Sequence, residues 1–230
     1  MRPQLLIRKI HRWAGLILGV QILLWFFSGF MMSLMPIDEV RGDHLLRGSA
    51  TPSISLSQID LTALAQRVNQ PVTTIKIKSW LGRTVAEVQA ADQVHMFGLP
   101  ELTALTPINQ SQLERLLAEQ LKPEYHIESV RLLDHVPNEA RGRKAPLYQV
   151  QISGDESPVI YVSQQNGEIV AKRTDRWRLF DFLWMLHIMD YDEREDFNHP
   201  LLYLTALAAL LFSLSGVVLI FYTMRPRKNL

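Results

Sequence analysis

Two long apolar stretches bracket the chain, residues 13–35 and 200–224, and the segment between them mixes short helix-like and strand-like patterns. Only Gln21, Ser28 and Ser33 interrupt the first stretch, and only Thr205, Ser213, Ser215, Thr223 and two tyrosines the second. About 20 consecutive apolar residues cross the hydrocarbon core as a helix, so the pattern predicts membrane helices over 13–36 and 200–224. The first stretch is too long for the apolar core of a signal peptide and no Ala-x-Ala-like site follows it, which predicts an uncleaved anchor. Arg2, Arg8, Lys9 and Arg12 precede the first stretch and Arg225, Arg227 and Lys228 follow the second, whereas their other ends meet Asp38, Glu39, Asp43 and an acidic run at 190–196. This asymmetry places the tails 1–12 and 225–230 in the cytoplasm and the middle of the chain outside it.

Between the spans, Ser55-Leu-Ser-Gln58 leads into a helical apolar pattern over 59–68 that Pro71 ends. Residues 72–78 then alternate, Leu81-Gly-Arg83 turns, and 84–90 alternate again, the pattern of a hairpin. The order repeats: a helix over 107–120, then strands at 126–133, 147–153, 159–163 and 168–172, with Asn166-Gly167 as the last hairpin turn. Two related helix-on-antiparallel-sheet modules follow, at about 54–98 and 107–173 within a region 37–175. The apolar run at 176–190 is too short to span and reads as an interfacial helix, followed by an acidic loop over 191–199. The fold class expected is membrane α plus soluble α+β.

Composition narrows the chemistry. The net charge of +1 among 230 residues, with the basic residues gathered at the span borders, gives no case for a nucleic-acid partner. Zero cysteines exclude iron–sulfur clusters, thiolate metal sites, disulfides and covalent c-type haem, leaving His, Met or oxygen as ligands for any iron. No nucleotide-binding glycine fingerprint, Walker loop, nucleophile elbow or His-Glu-x-x-His pair is present, and no catalytic residue stands out.

Histidines border both spans: His11 before the first, His187 and His199 before the second. On a helix His11 shares a stripe with Gly15, Gly19, Ile22, Phe26, Gly29 and Ser33. Two readings fit: the glycines leave room beside an iron-ligating imidazole for a flat macrocycle, or they form an ordinary Gly-x-x-x-Gly packing face below an interfacial histidine. His187 shares a stripe with Phe180, Trp184 and Tyr191, either a ligand among aromatic rings or the polar tip of an amphipathic belt. His199 precedes Pro200, where a helix cap or an axial ligand fits equally. Asp190, Asp192, Glu193, Glu195 and Asp196 offer a carboxylate to orient an imidazole, a hard-cation site, or a plain solvated loop. His44, His95, His126 and His135 show no ligand spacing, and Met31, Met32 and Met35 read as soft axial ligands or as apolar filler. Trp13, Trp25, Trp177 and Trp184 read mostly as interface anchors.

The sequence His11-Arg-Trp-Ala-Gly15-Leu-Ile-Leu-Gly19, the Ser28-Gly29 pair, the helix-and-hairpin repeat ending in Gln165-Asn-Gly-Glu-Ile169, then Leu186-His187 and a second span with Ser215-Gly216 together resemble the PepSY-associated transmembrane proteins. Larger relatives in that family carry four membrane helices and include bacterial inner-membrane reductases of ferric siderophores that hold b-type haem through histidines. The resemblance implies an inner-membrane protein with cytoplasmic termini, a periplasmic tandem PepSY-like domain, and non-covalent haem b ligated by His11, His187 and His199, with Gly15 and Gly19 beside it. From His11 to Met35 is 24 residues, so about 36 Å along a helix, and one haem cannot serve both ends. The expected arrangement is a homodimer in the lipid bilayer that stacks haems and passes electrons across it. The short tails leave no room for a flavin or nicotinamide domain, so a quinol or redox protein is the expected donor and a ferric chelate the expected acceptor. The alternatives are a non-enzymatic PepSY adaptor that binds an envelope peptidase or other partner, and a cation binder that uses the acidic loop.

Overall fold

The computed structural model describes residues 3–48, 59–91 and 93–224. The serine start at 55–58 and the basic residues Arg2, Arg225, Arg227 and Lys228 lie outside them. Helix α1 (Pro3–Ser33) begins well before the apolar stretch. Part of the expected tail 1–12 is therefore helical, because Leu, Ile, Arg and Lys favour helix and Pro3 at the first position presets φ. Helix α6 (Pro200–Met224) likewise starts on a proline. Both are long and apolar enough to cross a membrane. Phe26 is 73% and Phe221 69% exposed, a surface that lipid accepts and water does not. α1 and α6 pack on each other.

The chain divides into two compact units, a helical one within Met1–Pro36 and Arg178–Leu230 and a central one, Ile37–Trp177. The central unit opens with α2 (Ile37–Val40) and a 3-10 turn, Asp43–Leu45. Helix α3 (Leu61–Val68) is capped by Asp60, whose carboxylate accepts the N–H of Thr62 and Ala63, so an aspartate and not the expected serine starts it. Strands β1 (Val72–Trp80), β2 (Arg83–Ala90), β3 (Gln93–Gly98) and β4 (Thr103–Leu105) form one antiparallel sheet in chain order. Helix α4 (Gln110–Gln120) starts in a reciprocal cap between Asn109 and Gln112. Strands β5 (Ile127–Leu133), β6 (Leu147–Ile152), β7 (Val159–Ser163) and β8 (Ile169–Arg173) form a second antiparallel sheet, again in chain order.

Each helix covers a sheet, and the two modules also share a core. Leu64 and Val68 of α3 pack on Ala86, Val88, Ala90 and Phe97. Leu113, Leu116 and Leu117 of α4 pack on Tyr148, Val150, Ile152, Ile160 and Val162 of the second sheet and also on Trp80, Val85 and Met96 of the first. The first sheet is thus buried on both faces, which removes the polar alternation from β3: Met96 and Phe97 are neighbours, each in a different core. For that reason β3 does not register as a strand in the sequence pattern. The join between modules also holds a partly buried polar cluster, in which Lys78 meets Glu87 at 2.5 Å and the Asn166 amide donates to Glu87 at 3.1 Å.

The Asn166-Gly167 turn sits inside this join. Gly167 has φ +68°, and a Cβ there would lie 3.0 Å from both Leu116 Cδ2 and Trp80 Nε1. Gly167→Ala therefore adds a strained backbone to a crowded contact and should destabilise the central unit by about 1–3 kcal/mol. A fall in the thermal midpoint of the tryptophan near-UV signal checks this; an unchanged midpoint means the turn relaxes freely.

Candidate functional site

The helical unit holds two imidazoles in matching settings. His11, on α1, lies with Nδ1 2.7 Å from Ser215 Oγ of α6, and its ring stacks on Phe212 at 4.3 Å between centroids and 8° between planes. Ser215 Oγ also donates to the Phe212 carbonyl at 2.7 Å. A serine hydroxyl has one proton, so with that proton on the carbonyl the oxygen can only accept from His11 Nδ1–H, an arrangement that in a neutral ring leaves the lone pair on Nε2. Gly216 leaves room for the ring, since a Cβ there would lie 3.1 Å from His11 Cε1.

The second setting repeats the serine and glycine contacts. His187 lies near the end of α5 (Asp175–Ile188), with Nδ1 3.0 Å from Ser28 Oγ, and Ser28 is fully buried. Ser28 donates to the Leu24 carbonyl at 2.7 Å and also approaches the Trp25 carbonyl at 3.2 Å. With the serine proton on the Leu24 carbonyl, the oxygen can accept from His187 Nδ1–H, which in a neutral ring leaves the lone pair on Nε2. Here Gly29 supplies the room, a Cβ being 3.4 Å from His187 Cε1. Trp25 Nε1 donates to the His187 carbonyl at 2.8 Å, so one turn of α1 grips both the backbone and the ring of this histidine. Trp25 thus has a specific partner beyond the expected role of interface anchor.

His199 is placed differently. Its Nε2 lies 2.9 Å from the Ile188 carbonyl, and because a carbonyl only accepts, Nε2 carries the proton. His199 caps the last residue of α5, a contact that differs from the cap of the second membrane helix expected from its place before Pro200. The end of α5 is held further by Arg194, which meets buried Asp181 at 2.5 Å and accepts at its carbonyl from Trp184 Nε1 at 3.2 Å. Tyr191 follows the end of the helix, so it leaves the expected stripe with Phe180, Trp184 and His187.

Of the glycines singled out in the sequence, Gly15 faces its own chain: a Cβ there would lie 3.1 Å from Phe212 Cε2. Gly19 faces open space, with nothing within 4 Å.

The acidic loop is organised by Asp190, whose carboxylate accepts the N–H groups of Glu195 at 3.0 Å, Asp196 at 3.1 Å and Asp192 at 3.3 Å. Burial pushes its pKa up, but these backbone N–H groups outweigh that and hold it below the usual carboxylate value. Among the described residues no group of three or more His, Cys, Asp or Glu gathers to hold a metal ion, and both N–H groups that anchor the imidazoles go to serine and not to a loop carboxylate. A depressed folded pKa makes Asp190's contribution to loop order fully present above the ordinary carboxylate range and lost as pH falls through the folded value. Asp190→Ala should speed amide exchange at residues 192, 195 and 196 near neutral pH, as acidification does in the natural protein. Hydrogen exchange read by mass spectrometry checks this, and equal exchange in the two proteins would refute it.

In the central unit His44 and His126 line one cavity of about 570 Å³ with Glu39, Glu124, Glu156 and Arg176. Arg176 bridges Glu39 and Glu156 across it. His95 and His135 are not among the residues that line it.

The sequence pattern marked Ser28 and Ser215 only as polar interruptions and as parts of Ser-Gly pairs. A serine next to glycine inside an apolar span, one per span with a histidine at the opposite border, is the signal that finds them. No curated protein and no solved structure matches the chain. A family model described as the PepSY-associated TM region matches residues 8–229, which takes in both membrane helices, both sheets and both histidine–serine pairs, and the chain belongs to that family.

Proposed function

We propose that the protein is a haem-b-binding electron-transfer protein of the inner membrane, with His11 and His187 as iron ligands and a second copy of the chain completing each site. One observation carries the proposal: both imidazoles are anchored through Nδ1–H to a serine whose own proton is committed to a helix carbonyl, which leaves Nε2 with the lone pair. A ligating histidine characteristically has its other N–H fixed in this way. Haem iron between two imidazoles would supply one-electron chemistry when bound.

The chain's own residues account for the rest of the design. Ser28 sits 17 positions along α1 from His11, so the two imidazoles lie at levels about 26 Å apart along the helix. One macrocycle cannot take both, and within one chain each level offers one anchored imidazole. His199 serves the end of α5 through Nε2 and leaves the iron to His187. A twofold partner would bring a second His11 to one level and a second His187 to the other. The apolar faces of α1 and α6 would keep water from the path between the levels. In this reading the termini are cytoplasmic, the central unit is periplasmic, a quinol or redox protein is the donor, and a ferric chelate is the acceptor.

Optical spectra of the detergent-purified protein, with haem supplied during expression or afterwards, test the proposal. Reducible Soret and α-bands of b type are expected. Featureless spectra after supplementation would remove it and leave the family's membrane-anchored PepSY domain as a binding module.

A further inference from the structure

The two membrane-associated stretches of the chain carry one unit twice. Residues 11–29 hold a histidine and, further on, a Ser-Gly pair; residues 187–216 hold the same features in the same order. Each histidine docks on the other stretch's Ser-Gly pair: His11 on Ser215-Gly216 and His187 on Ser28-Gly29. The two contacts share three features, while the ring stack on Phe212 belongs to His11. Nδ1 meets Oγ at 2.7 Å in one and 3.0 Å in the other. The Cε1 edge faces the glycine in both, at 3.1 Å and 3.4 Å from the place of a Cβ. Each serine donates at 2.7 Å to a carbonyl of its own helix. Since His11 near the start of α1 meets Ser215 late in α6, the two helices run antiparallel. The second unit is longer in sequence because the loop between α5 and α6, closed by the His199 cap, is inserted between its histidine and its span.

We propose that Ser28 and Ser215 are positioning residues of two equivalent ligand sites, each fixing its histidine as the Nδ1–H tautomer so that Nε2 is the only ligating atom. The role in haem binding rests on the function proposed above, while the tautomer does not. Without the hydroxyl, an imidazole in an apolar interface can rotate or protonate on Nε2, which removes the lone pair a metal needs. Glycine at the next position lets the ring edge lie flat against the helix, so the hydroxyl and the bare backbone act as one device at each level.

The full-length protein is tested in two arms. In protein without haem, nitrogen NMR of 15N-histidine, assigned with His11→Ala and His187→Ala, should show both rings as the Nδ1–H tautomer. Ser28→Ala should disturb His187 alone and Ser215→Ala His11 alone, with Ser28→Thr and Ser215→Thr restoring the natural signals. In haem-supplemented protein each alanine variant should weaken haem at one level by about 10- to 100-fold, alter one component of the low-temperature α-band, and be rescued by threonine. An Nε2–H tautomer at either histidine in the natural protein overturns the inference whatever the haem content. Unchanged haem affinity and spectra in both alanine variants also overturn it. Nδ1–H tautomers in a protein that takes up no haem support the serine roles and overturn the haem reading alone.

Discussion

On the proposed haem ligation, His11→Ala and His187→Ala should each lose about half of the b-type haem bound per dimer, and the double variant should lose all of it, because each level would then lack its imidazole ligands. Neither change shortens an apolar span, so membrane insertion should be unaffected. His11→Ala also removes the stack on Phe212, a contact of about 0.5–1.5 kcal/mol, too little to unfold the helix pair. His199→Ala provides the contrast. Its ring holds the Ile188 carbonyl at the end of α5, so its loss should loosen that helix end and leave haem content near normal. Haem per chain by the pyridine haemochrome assay, together with low-temperature spectra of the three variants, separates these roles. A His11→Ala protein with full haem and an unchanged spectrum means that His11 is a structural interhelical donor. Matching defects in His187→Ala and His199→Ala would return His199 to the ligand set.

The elements with one dominant face could be read from the sequence, and those whose surroundings come from distant residues could not. Both spans, the β1–β2 hairpin and β5 to β8 follow from apolar length, period-two alternation and the Asn166-Gly167 turn. Strand β3 was hidden because Met96 and Phe97 enter different cores on opposite faces of a sheet covered twice. The α3 cap shifted from serine to Asp60 because several residues ahead of the helix can cap, and only backbone geometry selects among them. At the site, His11 and His187 were visible as polar residues bordering apolar helices. The Ser-Gly pairs stood out too, but which histidine each serves did not, since Ser28 lies 159 positions from His187 and Ser215 lies 204 from His11, beyond any local pattern. The acidic loop left three readings open: a carboxylate that orients an imidazole, a hard-cation site, or a solvated loop. Charge density alone does not choose among them, and Asp190 uses its carboxylate to organise the loop's own backbone.

Gly15→Leu and Gly19→Leu, one turn apart on α1, should fail in different ways. Gly15 packs against Phe212, the residue that stacks on His11, so a leucine there pushes α6 away inside one chain and breaks the His11–Ser215 contact from within. Overpacking of this kind costs about 1–3 kcal/mol and should lower thermal stability and haem content together. Gly19 meets nothing of its own chain within 4 Å, so a leucine there leaves the α1–α6 contact intact and changes only what approaches from outside. Packing of small residues drives helix association in lipid, where burial of apolar surface between helices gains little over lipid contact. If the open face at Gly19 receives the second copy, Gly19→Leu should keep the monomer's stability while lowering the dimer fraction, and haem should fall in proportion to the dimer. Native mass spectrometry from detergent reads all three quantities at once. A haem-loaded monomer, or a Gly19→Leu protein that stays dimeric with normal haem, would place the whole site within one chain and leave the Gly19 face to lipid.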